Sequence, residues 1–481
     1  MENLFSFHPR NYIKKCYHPP FFLFWRIKMS DFQKIKGLRE EDYELFTHNL
    51  EIKKLGKQNF LSPLTSDKKV FSAQMVPEDE RVLAFIDKSM VEAIQKQNLP
   101  IPSFEKAGPR QQLFFEPGET TSAIVTCGGI CPGLNAVIRE LVTMNYYRYN
   151  NQRTLGINYG YAGLVKELGH EIRHLTPAMV EDKQLTGGTM IGTSRGNQDA
   201  EKMVDRLDEL GVNILYTIGG DGTQRGAIAL INEIEKRNLK ISVIGIPKTI
   251  DNDINYIERS FGTETAFSEA CDSIDSAYTE AISINNGIGI VKLMGRESGF
   301  IAANATLATS QVDFCLIPEM EFRMVGDGGF LDSVEKKLRR KKHCVIVVAE
   351  GAGQEFVRDP ERIQYDASGN AKLGDIGIFI KDKLKSYLKA KDIPYSIKYI
   401  DPSYIVRSCP PTPNDSIFCS QLAQMAVHAG MSGRTGMVVG YLNGQFIHIP
   451  MDLATSKRKK IDINGQLWLS VLEKTGQPTI M

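Results

Sequence analysis

From Thr121 onward, short apolar runs rich in Val and Ile alternate with helix-length segments, a rhythm that predicts strand–helix–strand units around a parallel sheet. Strands are expected at residues 122–127, 213–218, 242–247, 287–293, 313–317 and 343–349, with helices at 134–149, 223–236, 263–284, 298–309 and 330–341. A polar, Gly-containing insertion occupies 351–372, with a turn-like tip at Asp366-Ala367-Ser368-Gly369-Asn370. Beyond it the pattern predicts a helix at 373–389, a strand at 397–400 and a helix at 414–429. The runs 437–442 and 445–449, separated by Asn443-Gly444, predict a hairpin with a two-residue turn. The fold class is α/β, and no internal repeat of fixed period is visible.

The first quarter of the chain has a different texture. Residues 29–118 are polar and cut into short pieces by Pro63, Pro77, Pro100, Pro102, Pro109 and Pro117, which predicts an accessory extension. Residues 1–28 combine Arg10, Lys14, Lys15, Arg26 and Lys28 with aromatics, but Pro19-Pro20 interrupts any amphipathic helix there. They read as a disordered or mis-assigned extension, with Met29-Ser30-Asp31 resembling an ordinary start. The apolar run Phe21 to Trp25 is five residues long, far below the ~18 of a membrane span.

Composition narrows the function classes. A chain of 481 residues has room for two to four packed units. Its 58 Lys and Arg against 57 Asp and Glu offer no overall field for a nucleic acid or a membrane surface. Eight scattered cysteines suit thiols packed as small apolar groups in a reducing compartment, hence a cytoplasmic protein.

Three clusters at expected strand ends carry the chemistry. In Cys127-Gly128-Gly129-Ile130-Cys131-Pro132-Gly133-Leu134-Asn135, glycines let backbone N–H groups approach a phosphate, and the following helix N-terminus favours an anion. Cys127 and Cys131 have no second pair or spaced histidine beside them, so a metal–thiolate site is not expected. In Gly219-Gly220-Asp221-Gly222-Thr223 a carboxylate beside a phosphate cradle calls for a cation between them, and Asp221 reads as a Mg²⁺ partner for a triphosphate. In Pro247-Lys248-Thr249-Ile250-Asp251-Asn252-Asp253, Asp251 and Asp253 can divide the work of base and metal ligand that phosphoryl transfer needs. Each cluster alone is equally compatible with a tight turn, a helix N-cap or an Asx turn.

Together they resemble the 6-phosphofructokinase family, whose GG-x-x-PG-x-N loop, GGDG loop, TIDND box and MGR box stand here in order at Gly128, Gly219, Thr249 and Met294. The resemblance spans roughly 121–442 and looks nearest to the long ATP-dependent enzymes of trypanosomatids and related protists. It implies two Rossmann-like three-layer domains with parallel-rich sheets: an N-terminal extension at 1–118, a nucleotide-binding domain at 119–257 completed by about 408–431, a sugar-phosphate domain at 258–407 completed by about 432–460, and a helical tail at 461–481.

The activity implied is Mg²⁺-dependent transfer from ATP to the 1-hydroxyl of fructose 6-phosphate. Gly129, Arg195, Gly196, Gly220, Asp221, Gly222 and Thr223 would hold the nucleotide, with Asp221 and Asp253 toward the metal. Asp251 would be the base, lined by Thr249 and Ile250, with Lys248 on a phosphate oxygen. Met294, Gly295 and Arg296 resemble the sugar-phosphate box, Glu350 would accept from sugar hydroxyls, and Lys398, Tyr404, Ile405, Val406 and Arg407 align with the segment that grips the 6-phosphate. Pyrophosphate-using relatives carry Asp at the place of Gly222 and Lys at the place of Lys248. A side chain at 222 would crowd the α-phosphate and ribose of a nucleotide, so ATP is expected as donor. The alternatives are a pyrophosphate-dependent enzyme, an NAD or lipid kinase sharing the GGDG loop, and a non-catalytic subunit that binds sugar phosphate. The resemblance also implies a homotetramer under effector control. The basic run Lys457 to Lys460 reads either as a solvated face or as a contact for a neighbouring subunit or an anionic effector.

Overall fold

Strands that are apolar on both faces need cover on both sides, and this chain supplies it with helices around two sheets. The structure is a computed structural model and describes residues 35, 37–65, 75–358, 364–365 and 371–479. The expectations for residues 1–28 and for the tip 366–370 fall outside the described residues, although Tyr365 and Ala371 on either side of that tip pair as an antiparallel bridge.

Contact clustering separates two units. The smaller, drawn from residues 1–48 and 87–101, contains the 3-10 turn Glu40–Phe46 and the helix Lys88–Lys96. The larger, residues 49–86 and 102–481, holds a nine-stranded and a four-stranded sheet together with two two-stranded ribbons.

Its nine-stranded sheet runs Arg81–Leu83, Ser103–Lys106, Gln445–Pro450, Met437–Leu442, Ser242–Pro247, Ile214–Gly219, Thr121–Thr126, Arg153–Ile157 and Ile172–Leu175. The five strands from Met437–Leu442 to Arg153–Ile157 are parallel, and pairing turns antiparallel at both margins. Every residue of the three central strands is buried. Part of the segment 29–118 is therefore built into the sheet rather than appended to it. Glu105, on the strand next to the edge, accounts for this: its buried carboxylate accepts from Arg434 Nε at 2.5 Å and meets His448 Nδ1 at 2.6 Å. Burial alone would raise its proton affinity, but His448 and Arg434 outweigh that and hold the carboxyl well below the usual range.

The second sheet has four parallel strands, Phe314–Leu316, His343–Ala349, Gly287–Leu293 and Ser396–Ile400. Alternate residues divide between two cores, as a period of two requires. Ile288, Ile290, Ile346 and Val348 pack with Val334 and Leu384 from the helices Phe330–Lys341 and Ile376–Ala390. Val291, Leu293, Val345 and Val347 face the core shared with the nine-stranded sheet. Between them lies the helix Thr263–Ile282, whose small residues Ala266, Ala270, Ala277 and Ala281 let its backbone come close. A Cβ at Gly289 would stand 2.7 Å from the Ala277 carbonyl oxygen, so any side chain there displaces the helix. The hairpin closes at Asn443-Gly444, both at positive φ, in the form expected of that pair.

Candidate active site

Ligands of open parallel sheets bind beyond the carboxyl ends of the strands. Loops leaving strands of both sheets open here onto one cleft of about 730 Å³. At one end the glycine loop follows Thr121–Thr126, with Gly128 at φ +85 and its N–H donated to the Ser194 carbonyl at 2.9 Å. Thr193 Oγ1 returns a bond to the Gly128 carbonyl at 2.8 Å, and this double tie delivers Arg195 and Gly196 to the loop. Lys248 Nζ donates to the Gly129 carbonyl at 2.7 Å, and burial lowers the lysine's proton affinity.

Gly220 caps the helix Asp221–Lys236, which places Asp221 in its first turn, facing the cleft. Asp221 Oδ2 pairs with Arg225 at 2.6 Å, while burial raises its proton affinity. A Cβ at Gly222 would meet nothing within 4 Å, and its φ is not left-handed. The fold does not need glycine there; the volume it leaves open belongs to the cleft.

The loop after Ser242–Pro247 is held by Asn252, at φ +55, whose Oδ1 accepts from Ser260 N–H at 2.9 Å and whose Nδ2 donates to the Glu258 carbonyl at 3.0 Å. Thr249 Oγ1 donates to Asp253 Oδ1 at 2.5 Å. Asp251 Oδ1 is buried and has no hydrogen-bond partner among the described residues. Burial first, then the neighbouring Asp253 and Glu350 carboxylates, push the Asp251 carboxyl up to about 8.

Loops of the second sheet close the other end. Arg296 donates to the Ala371 carbonyl, and burial raises the proton affinity of Glu350 against the pull of Arg296 and Lys292. Lys292 bridges Asp375 and Asp401, each at 2.9 Å. Burial opposes its charge, but the two acids prevail and raise its proton affinity. Arg407 lies 5.0 Å over the ring of the exposed Tyr404.

Residues 121–430 match the family described as Phosphofructokinase. The chain belongs to the phosphofructokinase family. It is 46% identical over 383 residues to the ATP-dependent 6-phosphofructokinase of Borreliella burgdorferi, covering 78% of this chain and 86% of that one. It is 47% identical over 374 residues to the ATP-dependent 6-phosphofructokinase of Trypanosoma brucei brucei, covering 77% and 76%. The pyrophosphate-dependent phosphofructokinase of Marinobacter aquaeolei superposes with a TM-score of 0.62 over 74% of this chain and 91% of that one, at 18% identity, a likeness of fold alone.

For this family member, the cleft gathers every expected site residue except four. Gly295, at φ +130, lies just behind it and accepts from Gly351 N–H at 3.0 Å. Lys398 pairs with Glu280 at 3.4 Å, because it sits in mid-strand opposite Gly289 rather than at the strand end where the cleft opens. Ile405 is exposed, and Val406 is buried in the core.

The cleft also contains Lys292, Asp401 and Arg458, which the sequence reading did not single out. Lys292 carried a signal, as a lone cation within the apolar strand Gly287–Leu293. Arg458 carried none beyond its place in a basic run.

Replacing Lys292 by Met removes the shared cation from Asp375 and Asp401, both held below the usual carboxylate range: burial would raise them, but hydrogen bonds, Lys292's among them, outweigh it. Their contribution is present above the unfolded pKa and lost as pH falls through the lower folded one. In urea unfolding, K292M is expected to lose about 1–2 kcal/mol at pH 7, a value discounted for the partial exposure of both acids, with the deficit shrinking toward pH 3. A deficit independent of pH contradicts the ion-pair account.

Proposed function

We propose that this protein transfers the γ-phosphoryl group of ATP to the 1-hydroxyl of fructose 6-phosphate, giving fructose 1,6-bisphosphate and ADP, the committed step of glycolysis. The observation that carries this reading is Asp251: a buried carboxylate with an unpartnered oxygen and raised proton affinity, in the same cleft as the glycine loop and Lys248. In this reading Asp251 takes the proton of the sugar hydroxyl as its oxygen bonds to the γ-phosphorus, and the bond to the β,γ-bridging oxygen breaks with ADP leaving. Gly129, Arg195, Gly196 and Gly220 to Thr223 hold the donor, and Lys248 sits on its phosphates. Arg296, Glu350, Tyr404 and Arg407 hold the sugar phosphate, with Arg296 and Arg407 supplying forked donors for a dianion. The nine-stranded sheet forms the nucleotide side and the four-stranded sheet the sugar-phosphate side.

The donor set fits Mg²⁺. Asp221 and Asp253 offer hard oxygens at the phosphate end, and the described residues contain no cluster of three or more His, Cys, Asp or Glu placed to hold a metal. Mg²⁺ commonly binds through one or two carboxylates plus water and substrate phosphates, and when bound it would neutralise the donor's phosphate oxygens. A cytoplasmic homotetramer under effector control belongs to the same proposal. The seven described cysteines are all free thiols, and no described helix is long and apolar enough to cross a membrane.

A coupled assay of fructose 6-phosphate phosphorylation, run with ATP or pyrophosphate and with or without Mg²⁺, tests the reaction. Turnover is expected with ATP and Mg²⁺ together, and turnover with pyrophosphate alone refutes the donor. D251N is expected to lower kcat by about 10² to 10⁴ with little change in KM, and near-normal turnover removes Asp251 as the base. G222D places a side chain in open volume within the first turn of a helix, where an acid is tolerated. Its stability should stay within about 0.5 kcal/mol of the parent, while ATP-supported turnover falls at least about tenfold through the side chain filling the nucleotide's space. Unimpaired use of ATP by this variant contradicts the steric account of Gly222.

A further inference from the structure

The basic run near the C-terminus does not spread into solvent; it is laid along the loop that carries Asp251. Lys459 N–H donates to the Asp253 carbonyl at 2.8 Å, and Ile254 and Arg458 form an antiparallel bridge. Lys459 Nζ reaches the Ile257 carbonyl at 2.5 Å, and Ile461 N–H donates to Glu319 Oε1 at 2.8 Å. These ties fix the backbone of 458–461 and aim the Arg458 side chain into the cleft. Its Nε lies 3.8 Å from Asp221 Oδ2, and its Nη1 lies 3.9 Å from Asp253 Oδ2 and 4.0 Å from Glu297 Oε1.

Acids that converge on one space repel one another unless a cation stands between them. Arginine keeps its charge at any working pH, and its planar fork suits carboxylate and phosphate oxygens alike. We propose that Arg458 is a residue of the phosphoryl-transfer site, compensating Asp221 and Asp253 in the empty cleft and pairing with the donor's phosphate oxygens when Mg²⁺ and nucleotide occupy those acids. This rests on the function proposed above. The tail then contributes to the reaction itself, through a residue more than 200 positions along the chain from the acids it serves.

The test compares R458Q and R458K with the parent, using full-length protein. Mn²⁺ binding in the absence of nucleotide is measured by electron paramagnetic resonance, Mg·ADP binding by calorimetry, and kcat and KM by the coupled assay. With Trp25 replaced by Phe in the parent and in both variants, emission from Trp468, buried in the tail helix Gln466–Thr475, reports whether the tail stays docked. With a competing charge removed, R458Q is expected to bind Mn²⁺ alone about tenfold more tightly. It should also bind Mg·ADP about tenfold more weakly, and its kcat should fall by one to two orders of magnitude. R458K should restore the parent's Mn²⁺ affinity and part of its nucleotide affinity.

Unchanged Mn²⁺ and Mg·ADP affinities in R458Q overturn the inference. So does weaker binding of both with shifted Trp468 emission, which assigns Arg458 a structural role. A parent protein that fails to phosphorylate the sugar overturns the proposed function, whereas unaltered R458Q affinities beside an active parent overturn only this inference.

Discussion

Three carboxyl groups, those of Asp251, Asp253 and Glu350, converge on one cleft, and their mutual repulsion is the constraint around which its cations are placed. A buried charge is costly unless it is paired or neutralised. At Asp251, burial and its two acidic neighbours raise the carboxyl while the Arg296 backbone N–H and the Arg458 charge pull the other way. Lys248, Lys292 and Arg407 stand around the same space. This balance of acids and fixed cations sets how readily Asp251, the base in the proposed reaction, gives up and takes a proton.

The geometry that sustains the balance comes from strand ends. Parallel strands deliver their loops to one edge, so the glycine loop, the acid loop and the Asp251 loop emerge side by side from neighbours in the nine-stranded sheet. Side chains then lock the loops. Ser260 Oγ donates to the Thr249 carbonyl at 2.7 Å from within the Asp251 loop. Ser298 Oγ donates to the Asp251 carbonyl at 3.2 Å from the segment following the Met294–Arg296 box. The second bond matters more for function, since it ties the proposed base to the loop system of the other sheet.

What could be read from the chain follows the same physics. Residues 242–247, 287–293 and 343–349 were legible to the residue because strands buried on both faces are nearly continuous apolar runs. Arg153–Ile157, Ile172–Leu175 and Ser103–Lys106 were not, because marginal strands carry charged residues such as Arg173 and Glu105, and two of Glu105's partners, Arg434 and His448, lie more than 300 positions away. In the cleft, glycine and aspartate loops announced themselves by local composition. Arg195 and Glu350 were recognisable only through the family resemblance, and the same resemblance placed Lys398 in the site although it lies half-exposed against Glu280. Arg458 was hidden for a different reason: its position depends on a backbone bridge to Ile254, and nothing within a basic tetrapeptide encodes that partner.

Glu319 shows how the two ends of the cleft are held in register. Its carboxylate accepts the Gly299 N–H through both oxygens at 3.1 Å, at the start of the helix Phe300–Ala308, and the Ile461 N–H at 2.8 Å. Burial raises its proton affinity, while these backbone donors favour the charged form. One side chain thus fastens the helix behind the sugar-phosphate box to the tail segment that carries Arg458. Displacing either element costs the shared carboxylate a buried partner. Gly299 and Ile461 are therefore tied through one carboxylate, and the basic run that read as a solvated face or a contact for a neighbour is anchored to the loop system of the four-stranded sheet.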